Sequence, residues 1–200
     1  MKKLLYILLL APLLVFVSSC GKDIKGCTDS LAYNYNSEAT IYDNTCEYLE
    51  IGAAFQGGIV FYIDETGEHG LVVALEDLGQ FEWGCYGTGI SAAAIGAGYQ
   101  NTLDIVAGCS DTPIAASEAL AYESGGYSDW YLPSKDELLE MYNTIGNGSS
   151  EGNIGGFSNS LYWSSSEYGN NSAWFVGFDS GYTAYFSKDN AGRVRVVRAF

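Results

Sequence analysis

Five cysteines, one histidine and 24 acidic side chains are the groups here whose chemistry could go beyond ordinary packing. Cys20 ends an apolar leader, while Cys27, Cys46, Cys85 and Cys109 lie in the body of the chain. Zinc fits badly, because no Cys-x-x-Cys spacing occurs and His69 is the lone imidazole. Disulfides fit an exported chain, and four cysteines allow three pairings. Local pairing, Cys27 with Cys46 and Cys85 with Cys109, is expected because each pair brackets one compositionally distinct segment. Each bridge closes a loop of about 20 residues and would contribute about 3 kcal/mol by restricting the unfolded chain. Two carboxylates ~5 to 9 Å apart would make a glycoside hydrolase. The acids that can be assigned, however, serve caps and turns. His69 falls in a turn with no nucleophile near it in sequence, which makes it a solvated loop residue.

The leader has a positive start at Lys2 and Lys3, an apolar stretch from Leu4 to Val17, and small residues before the cysteine. That is the build of a secretory signal. A membrane span needs about 20 apolar residues, and Pro12 interrupts this shorter run. The segment resembles a bacterial lipoprotein signal. The resemblance implies a leader at residues 1–19, a lipid-modified Cys20, and an anchored protein at the outer membrane or cell surface. Losing Lys2 and Lys3 leaves seven basic against 24 acidic side chains, a formal charge of −17. Nucleic acid, sulfated polyanions and bare anionic lipid would be repelled. The acidity keeps a surface protein soluble, and calcium is the one cofactor that it favours.

Residues 20–25 read as a polar tether and 26–48 as a small cysteine-bracketed module, too poor in aliphatics to form its own core. Asp29, Asn34, Asn36 and Asp43 offer oxygen ligands of the kind calcium takes, with Asn44 beside them. They lack the glycine and terminal glutamate of an EF-hand loop, and Asx-turns are the simpler expectation.

Residues 51–200 read as one domain. The apolar runs 59–63 and 71–75 predict a β-hairpin with a glycine-containing loop. Residues 84–108 predict a long loop ending in a helix from Asn101, with Asn101 as its cap and Asp104 at the third position. Gly87-Thr88-Gly89-Ile90-Ser91-Ala92 fits a loose dinucleotide pattern, but no βαβ unit surrounds it. Thr112-Pro113 predicts a helix over 114–123. Ser134-Lys135-Asp136-Glu137 is a capping box, followed by Leu138, Leu139, Met141 and Tyr142 on the buried face. Residues 162–166, 173–178, 182–186 and 193–200 predict strands, with Asp179-Ser180-Gly181 as a hairpin turn and Arg193 and Arg195 on a wet face.

Several blocks together carry a further resemblance: Gly57-Gly58-Ile59-Val60-Phe61-Tyr62, Gly125-Gly126-Tyr127-Ser128-Asp129-Trp130-Tyr131-Leu132-Pro133-Ser134-Lys135-Asp136-Glu137-Leu138, Tyr162-Trp163-Ser164-Ser165-Ser166-Glu167 and a closing Arg-Val-Val-Arg. In this order they look like the Lcl C-terminal domain family, from about Ile51 to Phe200. That family is similar to C-type lectin-like folds. The resemblance implies an α+β domain with an antiparallel sheet, two or three short helices, and its two ends joined in a sheet. It implies no enzyme. The 26–48 module is loosely similar to thrombospondin type 3 repeats, which implies a stalk. The founding adhesin of the family is linked to sulfated polysaccharides, which the charge of −17 opposes. Glu-Pro-Asn, Gln-Pro-Asp and Trp-Asn-Asp, the tripeptides by which C-type lectins hold calcium and sugar, are absent.

The expected function is a non-catalytic binding or adhesion module for a glycan or a surface protein. A hydrolase or a structural envelope protein are the alternatives. Glu167, Asn170, Asn171, Trp174 and Asp179 are the candidate ligand contacts, although Trp130, Trp163 and Trp174 are each expected in the core first. Mass spectrometry of the chain from bacterial membranes should find it beginning at an acylated Cys20. An intact leader and a free thiol there would remove the anchor.

Overall fold

The computed structural model describes residues 22–89 and 92–200; the leader and Cys20 lie outside these residues. In the N-terminal module, β1 (Lys25–Gly26) pairs in parallel with β2 (Ile41–Tyr42). The Cys27–Cys46 disulfide closes the segment, with Cys27 buried. Leu31, Tyr33, Tyr35, Ile41 and Tyr42 remain exposed, so the bridge and the turns substitute for a core. Tyr33 reaches the following domain through an edge contact with Phe55, at 5.3 Å between ring centres.

The domain is a mixed α/β unit with three helices. Its strands are β3 (Ala54–Phe55), β4 (Gly58–Ile63), β5 (Gly70–Ala74), β6 (Gly79–Phe81), β7 (Leu161–Gly169), β8 (Ser172–Gly177), β9 (Thr183–Ser187), β10 (Gly192–Val194) and β11 (Val197–Ala199). Its helices are α1 (Gly98–Gly108), α2 (Ala115–Ala121) and α3 (Lys135–Ile145). One sheet runs β6-β10-β7-β8-β9 and the other β11-β5-β4-β3. The β4–β5 hairpin forms as its alternation predicts, and β11 joins the end of the domain to that hairpin.

Period-two alternation divides the strand side chains between two cores. Val60, Val72, Ala74, Trp163, Ala173 and Phe175 pack with Trp83, Trp130, α1 and α2. Phe61, Leu71, Val73, Tyr162 and Val176 face the other way and pack with Leu138, Met141 and Ile145 of α3. Trp130 and Trp163 are thus core residues, as expected.

Two helix starts differ from expectation. α1 begins at Gly98, not Asn101, because Asn101 turns inward to donate to the Ala92 carbonyl (2.7 Å) and Ser165 Oγ (3.2 Å). A Cβ on Gly98 would lie 2.3 Å from Glu137 Oε2, so the helix can start this close to α3 only with glycine. α2 begins after Ile114, whose N–H donates to Ser117 Oγ at 3.0 Å, and leaves Thr112-Pro113 outside the helix. The capping box of α3 forms as read: Ser134 Oγ accepts from Glu137 N–H, and Ser134 N–H donates to Glu137 Oε2 at 2.7 Å. Gly57 and Gly125, both at positive φ, meet where a Cβ on Gly125 would come 2.7 Å from Gly57 Cα. The two glycine motifs are therefore one backbone crossing.

The predicted strand 193–200 splits between sheets. β10 pairs antiparallel with β6 and parallel with β7, whereas β11 pairs with β5, so the domain is not wholly antiparallel. The break falls at Arg195 and Val196. Arg195 is buried, not on a wet face, and its Nε contacts Asp77 at 2.7 Å while Nη1 donates to the Ala74 carbonyl at 2.8 Å. Asp77 also holds Arg193 at 3.0 Å and accepts from the Tyr162 hydroxyl at 2.8 Å. Arg198 lies over the Tyr127 ring and pairs with Asp129 at 2.5 Å. Asp77→Ala strands a buried guanidinium and should lower unfolding free energy by about 3–5 kcal/mol. Asp129→Ala, at an exposed carboxylate, should cost about 1 kcal/mol or less. Denaturant titration of both variants measures the contrast.

Candidate functional site

The candidate site is an aromatic surface at the end of the five-stranded sheet. In the β8–β9 register Trp174 stands opposite Tyr185, which puts both on the face that α3 covers. α3 starts at Lys135, however, and the strands run past it, so this end of the face stays open. Tyr168, from the end of β7, completes the group. Its ring stacks on Tyr185 at 3.7 Å and 4° between planes, and both tyrosines meet Trp174 edge to face, at 5.1 and 6.0 Å. Tyr168 and Tyr185 are about half exposed, at 53% and 50%. Lys135 Nζ stands 5.2 Å from the Trp174 ring centre, and its backbone N–H is fixed by Ser166 Oγ at 3.1 Å. Trp174 is half-buried against this surface and is not a core residue, unlike Trp130 and Trp163.

The other predicted ligand contacts separate in the fold. Asn170 and Asn171 are exposed at the β7–β8 turn, beside the platform. Asp179 is exposed in the β8–β9 turn at the opposite end of β8, about 20 Å away along the strand. Glu167 is no exposed contact: it is buried beneath the platform in an ion pair with Lys188. That correction follows from the bulged end of β7, where the register with β8 shifts between Trp163 and Glu167 and again before Gly169.

Glu167 also accepts from the Thr88 hydroxyl and from Gly89 N–H at 2.8 Å. Lys188 Nζ donates to the Cys85 carbonyl at 3.0 Å and lies 4.3 Å above Trp83. Cys85 and Cys109 are bonded to one another, so neither is a free nucleophile. Their sulfurs lie near Asp111, the one metal-type grouping among the described residues, but thiolates consumed in a disulfide do not ligate a cation. Nearby, Ala92, Ala93 and Ala94 carbonyls accept from Ser166 Oγ, Asp136 N–H and Ser134 Oγ. Gly96 N–H donates to Glu137 Oε1 at 2.8 Å, and burial pushes the Glu137 carboxyl above its ordinary range. The loop carrying the loose dinucleotide pattern is thus a clamped strap, with Ile90 and Ser91 outside the described residues.

In the N-terminal module, the four proposed calcium ligands serve turns. Asp29, Asn36 and Asp43 each accept a backbone N–H two residues on, and Asn34 bridges Thr45 and Glu47. The Tyr48 hydroxyl, 2.5 Å from Asp29, is the largest cause holding that carboxyl below its ordinary value. His69 is exposed in the β4–β5 loop.

A sequence profile of the Lcl C-terminal domain matches residues 83–198, more than half of the chain. It begins at Trp83, leaving Gly57-Gly58 outside the match. No curated protein matches. The crystal structure of a fimbrial protein from Bacteroides ovatus ATCC 8483 resembles the chain in fold, with a TM-score of 0.51 and 15% identity. The similarity covers 78% of this chain and 50% of that one, so the chain spans half of that protein's length.

Tyr168 and Tyr185 fall in a stretch from Trp163 to Tyr185 whose density of Tyr, Trp and Asn suits sugar binding, but neither is singled out there, since each sits in an aromatic strand that reads equally well as core. Lys188→Met leaves Glu167 buried without its cation and should cost about 3–5 kcal/mol. Tyr185→Ala should stay within about 1 kcal/mol of the parent. Thermal and denaturant unfolding of the two variants separates the support from the surface that it holds.

Proposed function

The chain belongs to the Lcl C-terminal domain family, and on that premise we propose that it is a non-catalytic lipoprotein whose C-type lectin-like domain binds neutral glycans at the cell surface. The observation that carries this reading is the Tyr168–Trp174–Tyr185 surface, half in water and rigidly backed. Aromatic faces carry partial negative charge, and the C–H bonds on the flat side of a pyranose present partial positive charge to them. Asn170 and Asn171 stand beside the rings as exposed amides able to bond sugar hydroxyls. The formal charge of −15 on the full chain turns away polyanions but has no effect on an uncharged sugar. The acids within the domain core are committed elsewhere: Asp77 to arginines, Glu137 to a helix cap and Glu167 to Lys188. The anchor, the stalk-like 26–48 module and the head would then set the binding surface off the membrane.

A glycan array probed with the chain from Lys22 onward, with and without calcium, tests the proposal. Neutral glycans should be retained in both conditions and in 0.5 M salt. Trp174→Ala or Tyr185→Ala should weaken retention about tenfold or more, equivalent to 1.4 kcal/mol. Retention of no glycan, or equal retention by the Trp174→Ala/Tyr185→Ala pair, would overturn it.

A further inference from the structure

We propose that β9 is a pairing edge for a second copy of this chain, joining two five-stranded sheets across a twofold axis through Tyr185. This inference stands on backbone geometry and does not depend on the glycan reading. β9 is the outer strand of its sheet. Gly177 N–H donates to the Tyr182 carbonyl and Lys188 N–H to the Asn171 carbonyl, which fixes the phase of the β8–β9 ladder. Ala184 and Phe186 therefore turn their peptide groups toward β8. Thr183, Tyr185 and Ser187 turn theirs away from the sheet; of these groups the Ser187 carbonyl is already taken, accepting from Asn190 N–H and Nδ2 at 3.0 Å each.

Exposed edges are ordinarily guarded by shortness, charge, proline or a bulge. The other edges follow that rule: β3 has two residues, β6 has three, and β11 is bridged through Val197 to Tyr131. β9 has five residues, reads Thr-Ala-Tyr-Phe-Ser without charge or proline, and pairs with β8 with no register shift.

The sequence of the strand selects a second copy as the occupant. An antiparallel pair centred on Tyr185 sets Tyr185 against its own counterpart, exchanging two backbone hydrogen bonds, and lets Ser187 N–H donate to the second copy's Thr183 carbonyl. On the other face it sets small Ala184 against large Phe186 in both directions. Phe186, now 47% exposed over Phe175 and Trp163, would be covered. Both aromatic surfaces fall on the same side of the joined sheet, adjacent across the axis.

The test is cross-linking in the envelope of cells expressing the full chain. Cys27, Cys46, Cys85 and Cys109 are held in disulfides, and the parent chain reports any background from Cys20. Tyr185→Cys, treated with a short bismaleimide, should give symmetric dimers about tenfold more readily than Glu65→Cys, which lies in the exposed β4–β5 loop. Adding Thr183→Pro leaves the bonds to β8 intact and puts a ring on the outer edge where the second copy's Ser187 would approach, and should cut that yield to the Glu65→Cys level. Thr183→Lys, which charges the edge, should do the same and guards against misfolding of the proline variant. Equal yields from Tyr185→Cys and Glu65→Cys, no effect of either Thr183 change in a folded chain, or cross-linking of Tyr185→Cys to a different protein would each overturn the proposal.

Discussion

The aromatic surface at the end of the five-stranded sheet depends on a buried ion pair. Lys188 and Glu167 have side chains 0% and 4% exposed, and taking two charges out of water costs several kcal/mol per ion. That cost is offset only where the remaining donors and acceptors are also satisfied. Among the described residues, Thr88 and Gly89 bond Glu167, the Cys85 carbonyl bonds Lys188, and the Trp83 ring faces the ammonium. The pair therefore joins the end of β7, the end of β9 and the strap after β6 at one point. The three aromatic rings stand on the strand ends so fixed. Their order comes from this buried electrostatic knot, because the rings themselves are half in water.

The sequence blocks that mark the family have a common structural explanation. Ser134, Glu137, Ser166 and Glu167 all bond the strap between β6 and α1, through Ala94, Gly96, Ala92 and Gly89. Gly57 and Gly125 admit a backbone crossing, and Asp129 holds Arg198. These residues build the frame. Tyr168, Trp174 and Tyr185 lie within the matched span but outside the quoted blocks. A family match on the frame therefore speaks to the fold and not to the chemistry of the aromatic surface.

The sequence is legible where the deciding interactions are local. The β4–β5 hairpin, the Ser134–Glu137 box and both disulfides lie within short spans and have side-chain types with few alternatives. The sequence misleads where distant partners decide. Asn101 looks like a cap until Ala92 and Ser165 compete for its amide. Arg195 looks like a solvated strand residue until Asp77 claims it, and Glu167 looks exposed until Lys188 comes 21 residues later in the chain. Trp174 was legible as a ligand candidate by type alone. Its two tyrosine companions were not, since cross-strand register and the point where α3 starts decide which aromatic rings remain wet.

The split of the final strand has a kinetic consequence. Gly192–Val194 lies between β6 and β7, and Val197–Ala199 closes onto β5, so both sheets wait for the same short segment. During synthesis this segment is the last part of the domain to leave the ribosome. Neither core can be sealed by the residues that emerge before it: the β4–β5 hairpin can form early, but β5 waits for β11 and β6 for β10. The topology thus disfavours stepwise folding from the N-terminus, and keeps the nascent domain open until this closing segment is available.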